Sequence, residues 1–522
     1  QIFIGKFKQY IWKKMTFLKN LLASRKVFAI LLDIDKDRSY HIIKMGRDCA
    51  VNKYKSLALN TLIFTIGTFS SKILVFILVP IYTNALSKSE FSTGDLLIQI
   101  ANLLIPFVTL GITNSIIRFG LDKNYNNKDV FSTGIYVVLV GSFFMVIATP
   151  FLSLNKTISQ YAYLLCIFTL VSSYKLLCNQ FVRAKGNIAL FALDGFLSTL
   201  LTLIFTILFL IVFEWGVTGY LMATICSDII TGLFLFFVDH LYRYVKWEKI
   251  RRSTAKAMVK YAVPMIPNTI SWWIINVSDR YLVNEMLGGD INGLYAIAYK
   301  VPSMIVLISG IFMDAWQVSA FDNTSPREQE RFFSIICNAY QTLIFLASSG
   351  LIIFSKIMTM ILTSRAFYES WRYIPLLIMS TIFSCLVTFL GSIYMVEKKS
   401  NMILLTTIMG AVVNVVLNLI LIPIFGANGA GFSTFVSYFI IFVFRAVHTQ
   451  RMIRIHWNVP LLVVNLVIIS LQSYVMVQEV SHWIMIEIVL LFVLVIVNMK
   501  MILINVNRIL RAVFRRKKKR AR

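Results

Sequence analysis

At 522 residues, 58% hydrophobic and only 14% charged, with a mean hydropathy of +0.75, the chain falls outside the soluble globular class and reads as a polytopic helical membrane protein. Its formal net charge of +27 comes with no nucleic-acid recognition module, so no nucleic-acid partner is expected; the Lys and Arg residues sit mostly in loops and tails, where the positive-inside rule places them. Continuous apolar runs exclude a transmembrane β-barrel, and six cysteines and five histidines scattered without CxxC or Cys/His spacing give no reason to expect a disulfide, metal or cofactor.

Residues 1–56 are basic. Phe3, Phe7, Ile11 and Leu18 interleave with Lys6, Lys13, Lys14 and Lys19. That pattern fits an amphipathic helix on the membrane surface. The alternative, slightly favoured, is that the native protein starts at Met45, directly before the first apolar run. Spans are then expected at 57–82, 93–118, 129–151, 158–178, 188–213, 216–238, 261–286, 293–320, 332–354, 372–395, 402–424, 428–448, 459–477 and 482–504. Each has about the 20 apolar residues a bilayer needs, giving about fourteen helices. Alternate loops carry Arg118/Lys123/Lys128, Arg183/Lys185, the 243–260 run, Arg327/Arg331, Lys398/Lys399 and Arg451/Arg454, so both termini are expected to be cytoplasmic.

The longest basic connection, RYVKWEKIRRSTAKAMVK at 243–260, separates six helices from eight. It divides the chain into an N-lobe at 57–242 and a C-lobe at 261–450. Helices 13 and 14 follow at 451–504, and then a basic tail at 505–522 suited to anionic membrane lipid. An internal repeat supports the division. Arg183-Ala-Lys-Gly-Asn187 precedes an apolar pair broken at Trp215-Gly216-Val217-Thr218-Gly219. Glu397-Lys-Lys-Ser-Asn401 precedes another pair broken at Phe425-Gly426-Ala427-Asn428-Gly429. The corresponding helices run the same way, as in a parallel repeat about an axis along the membrane normal.

Several short patterns recur in a fixed order. The first helix pair carries Asn60-x6-Gly67, Lys72, Pro80-Ile-Tyr-Thr83, Gly94-Asp95, Pro106, Leu110-Gly111 and Ile117-Arg118-Phe119. The central segment carries Pro264-x-x-Pro267, Ser278-Asp279-Arg280-Tyr281, Gly293-x-Tyr295 and Ala298-Tyr299-Lys300. Later come Glu397-Lys398-Lys399, Asn414, Asn418 and Pro423-x6-Ala430. Over about residues 57–450 their order and spacing resemble the oligosaccharide-lipid (Wzx-type) polysaccharide flippases of the multidrug/oligosaccharidyl-lipid/polysaccharide (MOP) superfamily. The resemblance implies an all-α fold of two bundles around a central cavity. It also implies movement of an undecaprenyl-diphosphate-linked glycan across a bacterial plasma membrane, alongside polysaccharide-assembly proteins.

Within spans, a charge costs on the order of 3 kcal/mol or more unless it faces a partner or water. Lys72, Arg280 and Lys300 are expected at similar depth, where three cations could hold a diphosphate. The alternative pairs Arg280 with Asp279 or Asp314, although sequence neighbours on a helix do not face each other. Arg118 closes helix 2, as a topology anchor or a substrate contact. Trp272, Trp273, Tyr295, Tyr299 and Trp316 are candidates for stacking on sugar, or for interface packing. Asp194, Asp228, Asp279 and Asp314 could carry a coupling proton or sodium ion, or be structurally paired. Pro264 and Pro267 predict a kink near the start of helix 7. Rival functions are a multidrug/cation antiporter of the same fold and a membrane glycosyltransferase or polymerase. The short outer loops offer the latter no paired carboxylates.

Overall fold

The computed structural model describes residues 74–520 apart from 123, 155–158, 247–250, 321–325 and 398. The basic segment 1–56, Lys72 and most of the first expected span lie outside the described residues. The rest is helical, with no strand among the described residues. The helices are α1 (Leu74–Ala85), α2 (Lys88–Val108), α3 (Ile112–Leu121), α4 (Asn127–Leu152), α5 (Ala162–Ala184), α6 (Ile188–Thr206) and α7 (Gly216–Val238). After them come α8 (Arg252–Ala262), α9 (Ile266–Leu287), α10 (Gly289–Ala298), α11 (Ser303–Ala320), α12 (Pro326–Ile353) and α13 (Ser355–Leu362). The last are α14 (Ile374–Val396), α15 (Ser400–Phe425), α16 (Ala427–Thr449), α17 (Val459–Gln478) and α18 (Trp483–Arg520).

Twelve helical stretches among the described residues are long and apolar enough to cross a membrane, which makes this a multi-pass membrane protein. The expectation of about fourteen helices is completed by α1, whose described part is short, and by α9. The latter is 22 residues long but carries Asp279, Arg280 and Glu285 and is not one of the twelve.

Local chemistry explains where the helices begin. Ser87 and Glu90 form a capping box at α2, with the Glu90 N–H donating to Ser87 Oγ at 3.2 Å and the Ser87 N–H donating to Glu90 Oε2 at 2.9 Å. Asn126, Asn187 and Asn458 cap α4, α6 and α17. The two turns of the sequence repeat both place a glycine at positive φ, Gly216 at +55° and Gly426 at +61°.

Hydropathy merged what the backbone separates. The expected span 93–118 is two helices, because Leu110 (φ +45°) and Gly111 (φ +65°) turn left-handed between α2 and α3. The expected span 293–320 is broken at residues 299–302, where Pro302 has no N–H to continue a helix. The kink expected from Pro264 and Pro267 is instead a junction. Pro264 lies in the first turn of a 3-10 segment and Pro267 in the first turn of α9, where a missing N–H costs nothing.

Among the described residues, three hydrophobic clusters fill the interior. One joins residues from Ile275 to Leu494. The other two belong to residues 78–262, and one of them also takes in Leu294, Ala296, Ile297 and Phe367. Helix α10 therefore serves two cores, giving Tyr295 and Ala298 to the later one and Leu294, Ala296 and Ile297 to the earlier. It can do so because it packs against α2 at backbone distance. A Cβ on Gly293 would lie 2.2 Å from the Lys88 carbonyl oxygen. In lipid, helices associate through such close packing at small residues rather than through apolar burial.

Candidate functional site

Helices α2 and α9 run antiparallel and are joined by three polar rungs. At one end, Ser92 Oγ donates to Asn284 Oδ1 at 3.1 Å and receives Asn292 Nδ2 at 2.7 Å. In the middle, Arg280 Nη1 donates to Asp95 Oδ2 at 2.8 Å. At the other end, Trp273 Nε1 donates to the Gln99 carbonyl at 2.8 Å. Ser92 to Gln99 is seven residues, about 10 Å along the helix. Helical spacing lets the rungs align, since Asp95 and Gln99 are one turn apart on α2, and Trp273, Arg280 and Asn284 share a face of α9.

Arg280 is the centre. Its guanidinium carbon lies 4.2 Å from the Tyr299 ring centroid, a cation–π contact strengthened by desolvation. Its Nε is buried with no hydrogen-bond partner, which leaves a charged donor unused. Lys300 sits at the break between α10 and α11, next in sequence to Tyr299, whose ring faces Arg280. The sequence reading grouped Lys72, Arg280 and Lys300; of these, Arg280 and Lys300 fall among the described residues, on α9 and at the α10–α11 break. Of the two partners proposed from the sequence, Asp314 has a side chain outside what the structure describes, and Asp279 makes no ion pair with the guanidinium. Asp279 is turned away, and Asp95 takes its place.

Asp279 is fully buried. Its Oδ1 accepts the Arg280 backbone N–H at 2.8 Å, and its Oδ2 accepts from the Tyr295 hydroxyl at 2.8 Å, from the Tyr299 hydroxyl and from Thr434 Oγ1 at 3.4 Å. Asn414 Nδ2 reaches Thr434 at 3.2 Å, while Asn414 Oδ1 accepts from Ser278 at 3.0 Å and Asn418 at 3.0 Å. Asn418 Oδ1 is buried without a partner. An oxygen-rich pocket of this kind suits a hard cation. Among the described residues no group of three His, Cys, Asp or Glu side chains converges.

The remaining candidates lie elsewhere. Asp228 on α7 pairs with Lys175 on α5 at 2.7 Å and accepts from Ser172 at 2.6 Å, and Lys175 also donates to Ser198 at 2.5 Å. Asp194 accepts from Asn179 at 2.7 Å, and its other oxygen is buried and unpartnered. Arg118 is exposed at the end of α3, 4.3 Å from the Tyr261 ring. Trp272 packs beside Tyr438 with ring centroids 6.1 Å apart. Asp314 and Trp316 belong to α11, but their side chains lie outside what the structure describes.

Sequence reasoning missed four groups. Asp95 stood in the quoted Gly94-Asp95 pair but was not recognised as the partner of Arg280. Lys175 and Glu487 are charges inside spans and carried the same signal as Arg280. Arg445 lies inside the expected span 428–448 and was not singled out. In fact it is 1% exposed, and it donates to Val387 O at 2.9 Å, Thr406 Oγ1 at 3.0 Å, Thr407 Oγ1 at 3.2 Å and Ile403 O at 3.3 Å. It thus binds α14 and α15 to α16. A cavity of about 570 Å³ between α15 and α16, lined by Met409, Phe439, Val443, Phe444, Val447 and Arg451 among others, is apolar and apart from the α2–α9 ladder.

Comparison with known proteins agrees with this architecture. A family model described as polysaccharide biosynthesis protein matches residues 57–318. An uncharacterized membrane protein of Methanocaldococcus jannaschii is 21% identical over 425 residues, covering 76% of this chain and 99% of that one. Among solved structures, the lipid II flippase MurJ in an inward closed conformation aligns with a TM-score of 0.61 at 15% identity, over 84% of this chain and 100% of its own. An inward-facing multidrug resistance MATE transporter of the MOP superfamily aligns with a TM-score of 0.59 at 14% identity, over 74% and 98%. These alignments show the MOP transporter fold.

Proposed function

This chain belongs to the polysaccharide biosynthesis protein family, and on that premise we propose that it is a flippase carrying an undecaprenyl-diphosphate-linked oligosaccharide across the bacterial plasma membrane. It would work by alternating access between its earlier and later helices, for cell-surface polysaccharide biosynthesis, with both termini in the cytoplasm as the loop charges favour. A fold neighbour named as a flippase for lipid II supports a lipid-linked substrate. Fold alone does not decide, since multidrug transporters share it.

The observation that carries the reading is Arg280. It is a largely buried cation between two helices, ion-paired with Asp95 and carrying an unused Nε donor, and Lys300 directly follows the tyrosine whose ring it faces. A diphosphate offers what Asp95 offers, with more charge and more acceptors. An arginine fork can bind it bidentately while the lysine acts as a point charge. The substrate would displace Asp95 from Arg280, unlocking the α2–α9 ladder as it binds. Tyr299 and Trp273 would then be free to contact the glycan. Asp279, with Asn414, Asn418 and Thr434, is the group best placed for a coupling cation, because Asp228 is already neutralised by Lys175. A cationic drug would meet Arg280 and Lys300 as like charges, which disfavours the antiporter reading.

The test is flipping of a lipid-diphosphate oligosaccharide in reconstituted vesicles. Arg280→Ala is expected to lower the rate at least about tenfold, the effect of losing a single strong contact. Arg280→Lys should recover only part of it. Because Arg280→Ala strands Asp95, the double variant Asp95→Asn/Arg280→Ala is the control for folding. Abundant and inactive protein supports the reading, and wild-type flipping by the double variant overturns it.

A further inference from the structure

Helices α17 and α18 pack on each other and on α12, and polar groups line that three-helix seam. Asn498 Nδ2 donates to Asn465 Oδ1 at 2.7 Å, and Thr342 Oγ1 donates to Asn498 Oδ1 at 3.3 Å. Towards the α17–α18 turn, Gln472 Nε2 donates to Glu487 Oε2 at 2.9 Å. Asn465, Gln472, Glu487 and Asn498 are each 0% exposed. On the same three helices, buried polar atoms have no protein partner. They are Glu487 Oε1, Gln472 Oε1 and Ser473 Oγ, and on α12 both side-chain polar atoms of Gln341 with Ser348 Oγ and Ser349 Oγ. Glu487 and Asn498 are eleven residues apart, about 16 Å by helical rise, or roughly half of a ~30 Å hydrocarbon core. Apolar side chains would pack these helices without stranded polar atoms. Buried polar groups of this kind call for ordered water.

Glu487 is the ionisable group of the seam. Among the described residues no Lys, Arg or His comes within ion-pair distance of it. On α17 the titratable group is Tyr474, which is exposed. On α12, Tyr340 is engaged by Ser309 and the Cys385 carbonyl, Cys337 is a buried thiol, and Arg327, Glu330 and Arg331 lie at the far end. On α18, Lys500 is exposed about 20 Å along the helix. Lys356 of α13 is held at 2.6 Å by Glu479, between the rings of Trp371 and Trp483 at 4.1 and 4.3 Å. A bare carboxylate in this place would cost several kcal/mol.

We propose that Glu487 is a proton-binding site, reached by water along the α12–α17–α18 seam and separate from the α2–α9 ladder. The carboxylate takes up a proton from a water chain and returns it as hydronium. A proton fits better than sodium, because it needs one carboxylate oxygen, whereas a desolvated metal cation needs a full shell of oxygens, and among the described residues no further Asp, Glu, His or Cys side chains complete a ligand group with Glu487.

Infrared difference spectroscopy tests this on the full chain in lipid nanodiscs, sodium-free at pH 7, comparing wild type with Glu487→Gln. The expected result is a protonated-carboxyl carbonyl band of one residue's intensity, absent from the variant, that shifts down on transfer to D2O. A carboxylate signal in its place overturns the proposal, and so does a band that sodium chloride abolishes, which would mark a sodium site. A band that D2O leaves unshifted overturns the water path. Glu487→Gln keeps the volume and the Gln472 hydrogen bond. If it nonetheless fails to fold, Glu487→Asp must show the same D2O-sensitive band at a displaced frequency, and its absence overturns the proposal as well.

Discussion

Two largely buried ion pairs of similar chemistry sit in opposite structural situations. Lys175–Asp228 closes on itself within α5, α6 and α7, where Ser172 and Ser198 complete its hydrogen bonds. Asp95–Arg280 bridges helices 185 residues apart in sequence, and it leaves Arg280 Nε unbonded. The first pair is saturated and local. The second is under-saturated and lies where two hydrophobic cores meet through α10. In a medium that penalises unpaired charge, the saturated pair has no polar group left to satisfy, while the spare donor on Arg280 is the feature on which the proposed anion site rests.

The sharpest way to break this contrast is Asp95→Asn. It leaves Arg280 buried without its counter-charge, so stability should fall by about 4 kcal/mol. The freed guanidinium should then bind inorganic pyrophosphate. A thermal-shift titration should show a larger pyrophosphate-induced rise in melting temperature for Asp95→Asn than for wild type. Equal rises would mean that Arg280 is not an anion site.

Lys175→Met is the matched perturbation of the saturated pair. With both partners partly accessible, at 16% and 11%, the expected loss is about 3 kcal/mol. The apolar double replacement Lys175→Met/Asp228→Leu should restore most of it, and neither variant should alter the pyrophosphate response. A changed response would dissolve the distinction between the two pairs.

The smallest effect concerns the exposed partner of Lys356. Its hydrogen bond holds the Glu479 carboxyl below the usual carboxylate range. Stability from this pair is therefore fully present above the ordinary Glu value, about pH 4.3, and is lost as pH falls through the lower, folded value. Melting temperature should decline slightly in that acidic window, and Glu479→Gln should remove the decline.

Much of the architecture was legible from the sequence. Hydropathy located the spans, the repeated Gly turns were placed correctly at Gly216 and Gly426, and the cost of charge in lipid singled out Arg280 and Asp279. Two kinds of information were not available there. Breaks at Leu110–Gly111 and at residues 299–302 are backbone events inside apolar runs, so a hydropathy average passes over them. The pairing of Arg280 with Asp95 is tertiary, because each residue announces its own cost but not which distant residue relieves it. Lys175 and Glu487 were missed for a simpler reason, since each was absorbed into a span whose mean hydropathy stayed high.

The polarity of α9 has a consequence for how the chain is made. A helix carrying Asp279, Arg280 and Glu285 gains too little from lipid to leave the translocation channel unaided, at about 3 kcal/mol per charge near mid-membrane. Helix α2 is synthesised well before it, already presenting Asp95, Ser92 and the Gln99 carbonyl. The ladder that joins the two helices in the finished protein thus offers the later-made helix the partners that its charges need in lipid.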